Sequence, residues 1–138
     1  MSEDVIIYCD GGARGNPGRA AAAFAVESGS RIIAKDSFLL GVTTNNVAEY
    51  QAVIKALGWL HKNQKLFKGQ VTFILDSELV TKQITGRYKI KNQKLKELAQ
   101  ICFTLIKQTG IPINFLNVSR EKNKLADFLV NQKLDEII

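Results

Sequence analysis

The sequence predicts an α/β fold: a mixed five-stranded sheet with helices on both faces, in the order βββαβααβα. Three observations carry this. Short β-branched runs with period-two alternation give way, after residue 42, to stretches with a period near 3.6. The first three runs follow one another through short connections, which makes strands 1–3 an antiparallel meander. Helical stretches then separate the later strands, so strands 1, 4 and 5 are expected to be parallel neighbours. With 138 residues the chain has enough length for one domain with a real core, and residues 1–138 are read as a single domain.

Each element has its own signal. "VIIYCD" (5–10) is the first strand; Asp10 closes it, and Gly11-Gly12 are expected to begin a turn. "AAAFAVES" (21–28) and "RIIAKDSFLL" (31–40) flank Gly29-Ser30, a hairpin turn. Residues 43–63 place Val47, Tyr50, Ile54 and Leu57 along one side of a helix, with Thr44 or Asn45 as N-cap. "QVTFILD" (70–76) is the fourth strand. A short helix (77–85) with Ser77 as cap stops at Gly86, and a longer one (92–110) ends at Gly110. "PINFLNVS" (112–119) is the fifth strand, and 123–137 the last helix.

Composition narrows the class. Apolar residues make up 46% and charged residues 23%, as in ordinary globular domains. No apolar run approaches bilayer length, so no membrane partner is expected. Two acids and no basic segment precede the first apolar run, which is not the pattern of a secretory signal, and a cytoplasmic location is expected. Cys9 and Cys102 lack the spacing of a zinc site or a disulfide framework and read as reduced core thiols. A net charge of +6 favours polyanionic partners. Arg87, Lys89, Lys91, Lys94 and Lys96 cluster around Tyr88, although a solvated helix face explains that segment equally well.

Four acids stand out. Alternation puts Asp10 on one face with Ile6 and Tyr8, and Asp76 on one face with Thr72 and Ile74. If strands 1 and 4 are parallel neighbours, the two aspartates meet at the edge where ligands gather in such sheets. Glu49 shares a largely apolar helix side with Val53 and Ala56. Asp127 aligns with Asn123 and Asn131 on a polar stripe of the last helix. Taken singly, each acid has a plainer reading as a turn former, a helix-terminal charge or a surface acid. Together they would repel unless a cation or protons intervene. An all-oxygen set without histidine or cysteine suits hard cations, Mg²⁺ or Mn²⁺. Carboxylates shared between two ions suit phosphodiester chemistry.

The blocks "DGGARGNPG", "TTNNVAEYQAVIKAL", "DSELVTKQITG" and "VSREKNKLADFLVNQ" resemble, in order, those of the type 1 ribonuclease H (RNase HI) family, and the likeness runs from about Val5 to Leu134. The resemblance implies a ribonuclease H-like fold. It also implies an endonuclease that cuts the RNA strand of RNA–DNA hybrids with two Mg²⁺ or Mn²⁺ ions, leaving 5′-phosphate and 3′-hydroxyl ends. Asp10, Glu49, Asp76 and Asp127 match the family's metal-binding, catalytic carboxylates. Asn16 and Asn45 match minor-groove contacts, Thr44 and Asn92 match contacts to a DNA-strand phosphate, and Gly11 and Gly12 match a loop whose backbone approaches the RNA.

The chain departs from the family pattern in four places. The loop before the last acid, "VSREKNKLAD", has no histidine; Arg120, Glu121 or Lys122 stand as substitutes, and His61 reads as a surface residue at a helix end. The segment "GRYKIKN" is too short for the basic protrusion of some relatives. "RAAAAF" replaces further glycines on a strand expected near substrate, and Glu78 stands where relatives often carry glutamine. Two other readings compete: a same-fold nuclease that also cuts double-stranded RNA, and a non-catalytic hybrid- or RNA-binding module. A monomer is the default.

Overall fold

In the computed structural model, residues 4–67 and 69–136 are described. Ile137, the expected end of the last helix, lies outside them. Five strands and four helices follow in the expected order: β1 (Val5–Arg14), β2 (Gly18–Ser28), β3 (Arg31–Thr43), α1 (Asn45–Lys62), β4 (Val71–Leu75), α2 (Glu78–Ile84), α3 (Gln93–Thr109), β5 (Ile113–Asn117) and α4 (Lys124–Asp135). The sheet order is β3-β2-β1-β4-β5. β1–β2 and β2–β3 pair antiparallel, and β1–β4 and β4–β5 pair parallel.

Local chemistry sets the boundaries. Gly29 and Ser30 both have positive φ, 55° and 68°, the backbone that a two-residue hairpin turn matched to strand twist requires. The hydroxyls of Thr44 and Ser77 accept from the amides of Val47 and Val80, capping α1 and α2. Asn92 Oδ1 accepts from Leu95 N and caps α3, and Gly110 at φ 64° ends it.

α1 and α3 cover one sheet face. Ile7, Phe24 and Phe73 of the strands pack there against Tyr50, Leu57 and Leu98 of the helices. α4 covers β1 and β2 on the other face, where Leu129, Val130 and Leu134 rest on Ala21, Ala23 and Ala25. Arg19 donates to the Leu134 carbonyl, and Arg14 pairs with Asp135 at 2.5 Å, so the end of α4 is pinned to the first hairpin. Among the described residues, no helix is long and apolar enough to cross a membrane.

Two expectations are corrected. β1 does not end at Asp10 in a turn; it runs on to Arg14, with Gly11 and Gly12 paired to Ala22 and Ala21. Glycine weakens a strand but does not terminate it when a partner strand completes the ladder. The turn lies instead at 15–17, where Gly15 has φ 88°. Nor does the alanine run face substrate. Ala20 to Ala23 and Ala25 are fully buried, and the three on the α4 side are small enough for that helix to pack close to the sheet.

Candidate active site

β1 and β4 pair from Val5–Val71 to Tyr8–Ile74. The same register carried two residues further brings Asp10 level with Asp76, just past the end of β4. Glu49 reaches them because α1 crosses β1 at Gly11. A Cβ on Gly11 would lie 2.2 Å from the carbonyl carbon and oxygen of Ala48 and 2.5 Å from the amide nitrogen of Glu49. Only glycine permits that approach, and it sets the carboxylate of Glu49 beside Asp10.

One oxygen each from Asp10, Glu49 and Asp76 falls within 4.8 Å of the others. Asp10 and Glu49 are 5% and 6% exposed, respectively. Burial and the neighbouring Asp76 push Asp10 up to about 7. Burial, then Asp10 and Asp76, hold Glu49 well above the usual carboxylate range. Burial also raises Asp76, opposed by the positive charge of Arg120. Glu49 Oε2 and Asp76 Oδ2 are buried without a hydrogen-bond partner.

Asp127, half-buried on the first turn of α4, is not one of the three converging acids. It lines the same cleft, and its charge raises both Asp10 and Asp76. Asn131 Nδ2 donates to its carbonyl at 3.0 Å and to Oδ1 at 3.4 Å. The polar stripe expected on α4 is not a surface feature throughout: Asn131 is exposed, but Asn123 is completely buried because it faces β1.

The cleft encloses about 350 Å³ and is lined by all four acids, the backbone of Gly11 and Gly12, Asn45 and Arg120. Its donor set fits a divalent cation. The ligands are oxygens alone, two buried oxygens lack partners, and the clustered negative charge is uncompensated within the cluster.

Asn16 and Asn45 tie the turn after β1 to the start of α1. Asn45 Oδ1 accepts from Ala13 N at 2.8 Å, and Asn45 N donates to Asn16 Oδ1 at 3.0 Å. Both side chains are exposed, and neither amide nitrogen has a partner among the described residues. Thr44 and Asn92 cap their helices and do not line the cleft. In the short turn Arg120–Lys122 only Arg120 faces the cleft; Glu121 and Lys122 line a separate pocket with Tyr8 and Glu27. His61 is half-buried rather than on the surface, since the last turn of α1 packs through Trp59 and Leu60 into the core. Glu78 is exposed and paired with Lys82 at 2.7 Å. Arg14 and Asn46 also line the cleft and were missed by sequence reasoning. Arg14 lay in what read as a loop, and nothing in the spacing separated Asn46 from Asn45.

A sheet in this strand order, with aspartates from adjacent parallel strands and a glutamate from the crossing helix, defines the ribonuclease H-like fold class. The family model described as RNase H matches residues 2–135. The chain belongs to the RNase H family, on its type 1 branch. It is 37% identical over 133 residues to the Mycobacterium tuberculosis bifunctional protein Rv2228c, covering 95% of this chain but only 35% of that protein. To ribonuclease HI of Halobacterium salinarum it is 35% identical, covering 94% of this chain and 63% of that one. The chain thus spans about a third of the length of the mycobacterial relative. Among solved structures, the N-terminal RNase H domain of Rv2228c superposes with a TM-score of 0.86 at 36% identity, covering 97% of this chain and 95% of that one. LC11-RNase H1, solved in complex with an RNA/DNA hybrid, gives a TM-score of 0.85 at 41% identity, covering 93% and 94%.

Proposed function

We propose that this chain is an endoribonuclease that hydrolyses the RNA strand of RNA–DNA hybrids by a two-metal-ion mechanism, with Mg²⁺ or Mn²⁺, leaving 5′-phosphate and 3′-hydroxyl ends. The observation that carries the reading is the convergence of Asp10, Glu49 and Asp76 within 4.8 Å, with two of their oxygens buried and unpartnered, in a member of the RNase H family. A relative solved with an RNA/DNA hybrid supports the substrate class.

Asp10, Glu49, Asp76 and Asp127 are the residues that would hold the cations. Bound there, divalent ions would activate an attacking water and neutralise charge on the leaving oxygen of the phosphodiester. The protein's own contribution is positional and electrostatic. Burial of Asp10 and Glu49 keeps the cluster away from bulk water and strengthens its field. Arg120 offers a permanent positive charge beside Asp76. A guanidinium stays protonated, so Arg120 in the place of the absent histidine binds phosphate oxygen rather than moving a proton. The free amide nitrogens of Asn16 and Asn45 donate to the minor groove, where 2′-hydroxyls distinguish RNA from DNA. The Asn92 amide nitrogen, the Thr44 hydroxyl hydrogen and the backbone of Gly11 and Gly12 remain for the two strands' backbones. All four acids come from one chain, so a monomer suffices.

The test is digestion of a hybrid with each strand labelled in turn, beside RNA and DNA duplexes, with Mg²⁺, Mn²⁺ or chelator. The expected result is metal-dependent cutting of the hybrid's RNA strand only. Equal cutting of duplex RNA would replace hybrid specificity with the broader reading. No cutting under any condition, with hybrid still bound, would make the chain a binding module.

A further inference from the structure

We propose that Asn123 is a positioning residue for the carboxylate site, joining the helix that carries Asp127 to the strand that carries Asp10. The inference rests on the functional reading above and deepens it. An asparagine just ahead of a helix ordinarily caps it from the surface. Asn123 does neither: its side chain makes no capping bond to α4, and it is completely buried.

Its hydrogen bonds run to the site instead. Nδ2 donates to the carbonyl of Cys9 at 2.7 Å, and Cys9 immediately precedes Asp10. Its own carbonyl accepts from Asp127 N at 3.1 Å, and its amide donates to the Arg120 carbonyl at 2.9 Å. One residue therefore links β1, the arginine turn and the first turn of α4.

The far side of the amide carries the second observation. Asn123 Oδ1 is buried without a partner, as are Glu49 Oε2 and Asp76 Oδ2. A buried amide oxygen left unpaired is unfavourable unless the surroundings complete it. Glu49 Oε2 and Asp76 Oδ2 belong to the carboxylate cluster, where a divalent cation would complete both; Asn123 lies behind that cleft and acts on it through its bond to the Cys9 carbonyl. The residue type is constrained accordingly. Aspartate would lose the donor to Cys9 and set a negative charge against that carbonyl, next to Asp10; leucine would lose both polar atoms.

The experiment compares wild type with Asn123→Asp and Asn123→Ala, and with Asn123→Ser in case the alanine variant does not fold. Mn²⁺ affinity is measured by calorimetry without nucleic acid, folding by circular dichroism, and kcat and KM on a hybrid substrate. Partners of metal ligands typically change metal affinity by about 10–100-fold. The expected result is Mn²⁺ binding weakened about tenfold in folded variants, with kcat reduced and KM for hybrid nearly unchanged. A folded Asn123→Asp or Asn123→Ser protein with wild-type Mn²⁺ affinity and kcat would overturn the proposal. If wild type binds Mn²⁺ but cuts no hybrid, and the variants still bind Mn²⁺ more weakly, the positioning role stands and the hybrid-nuclease reading falls.

Discussion

Gly11 lies directly under Ala48: a Cβ on the glycine would sit 2.2 Å from the alanine's carbonyl group. The obstacle is backbone, which cannot rotate aside as a side chain would. This contact sets the depth of α1 on β1, and the next residue along each element, counting back from Gly11 and on from Ala48, is a site acid. Gly11→Ala should therefore act on fold and function together. Overpacking of this kind costs about 1–3 kcal/mol. The urea midpoint should fall accordingly, and turnover should fall beyond what the unfolded fraction explains, because Glu49 is displaced. Unchanged stability and turnover would contradict the packing argument.

The metal-free protein should lose stability as pH rises. Asp10 is raised from its ordinary 3.8 to about 7, chiefly by burial and secondly by Asp76. Between those values the folded state holds a proton that the unfolded state releases, so the slope of stability with pH is negative. The lost stability is on the order of a few kcal/mol over the window, at about 1.4 kcal/mol per unit. Melts in chelator should show the midpoint falling from about pH 4 to 7, Mg²⁺ should restore it near neutrality, and Asp10→Asn should flatten the slope. A melting point independent of pH in chelator would count against the buried cluster.

Removing Arg120 should raise the Asp76 carboxyl further, because its charge is the largest influence opposing burial there. Arg120→Ala should shift the acid limb of the kcat profile to higher pH and lower kcat by about 10–10²-fold, somewhat less than removal of a dedicated transition-state donor. Glu121→Ala, in a separate pocket, should leave both unchanged. Equal effects from the two substitutions would show that the turn, and not the guanidinium, matters.

Asn45→Ala removes the acceptor for Ala13 N and an exposed donor toward the nucleic acid. A hydrogen bond is worth about 1 kcal/mol, so KM for hybrid should rise about fivefold while kcat changes less. A drop in kcat at constant KM would place Asn45 in the chemistry rather than in binding.

Much of this was legible in the sequence, for definable reasons. Strand and helix order followed from periodicity, and the caps of α1, at Thr44 or Asn45, and of α2, at Ser77, from residue type and spacing. The meeting of Asp10 and Asp76 followed from two parallel runs of equal reach. What failed to show was tertiary. Gly11 and Gly12 read as a turn because glycine's local preference is for turns, yet β2 completes their ladder. The alanines of β2 read as a substrate-facing surface because the helix above them lies more than a hundred residues further along the sequence. Asn123 read as a polar-stripe residue because helical spacing cannot reveal which face a neighbouring strand covers.

The most direct measurement is single-turnover cleavage of a strand-labelled hybrid by Asp76→Asn, with hybrid affinity and melting temperature measured on the same preparation. Asp76 supplies one of the two unpartnered buried oxygens of the cluster. The account predicts RNA-strand cleavage reduced by at least about 10³-fold, the scale of losing a principal electrostatic element of a site. Hybrid binding should be retained, and thermal stability without metal equal to or above that of wild type. Full cleavage by Asp76→Asn in Mg²⁺ would contradict it.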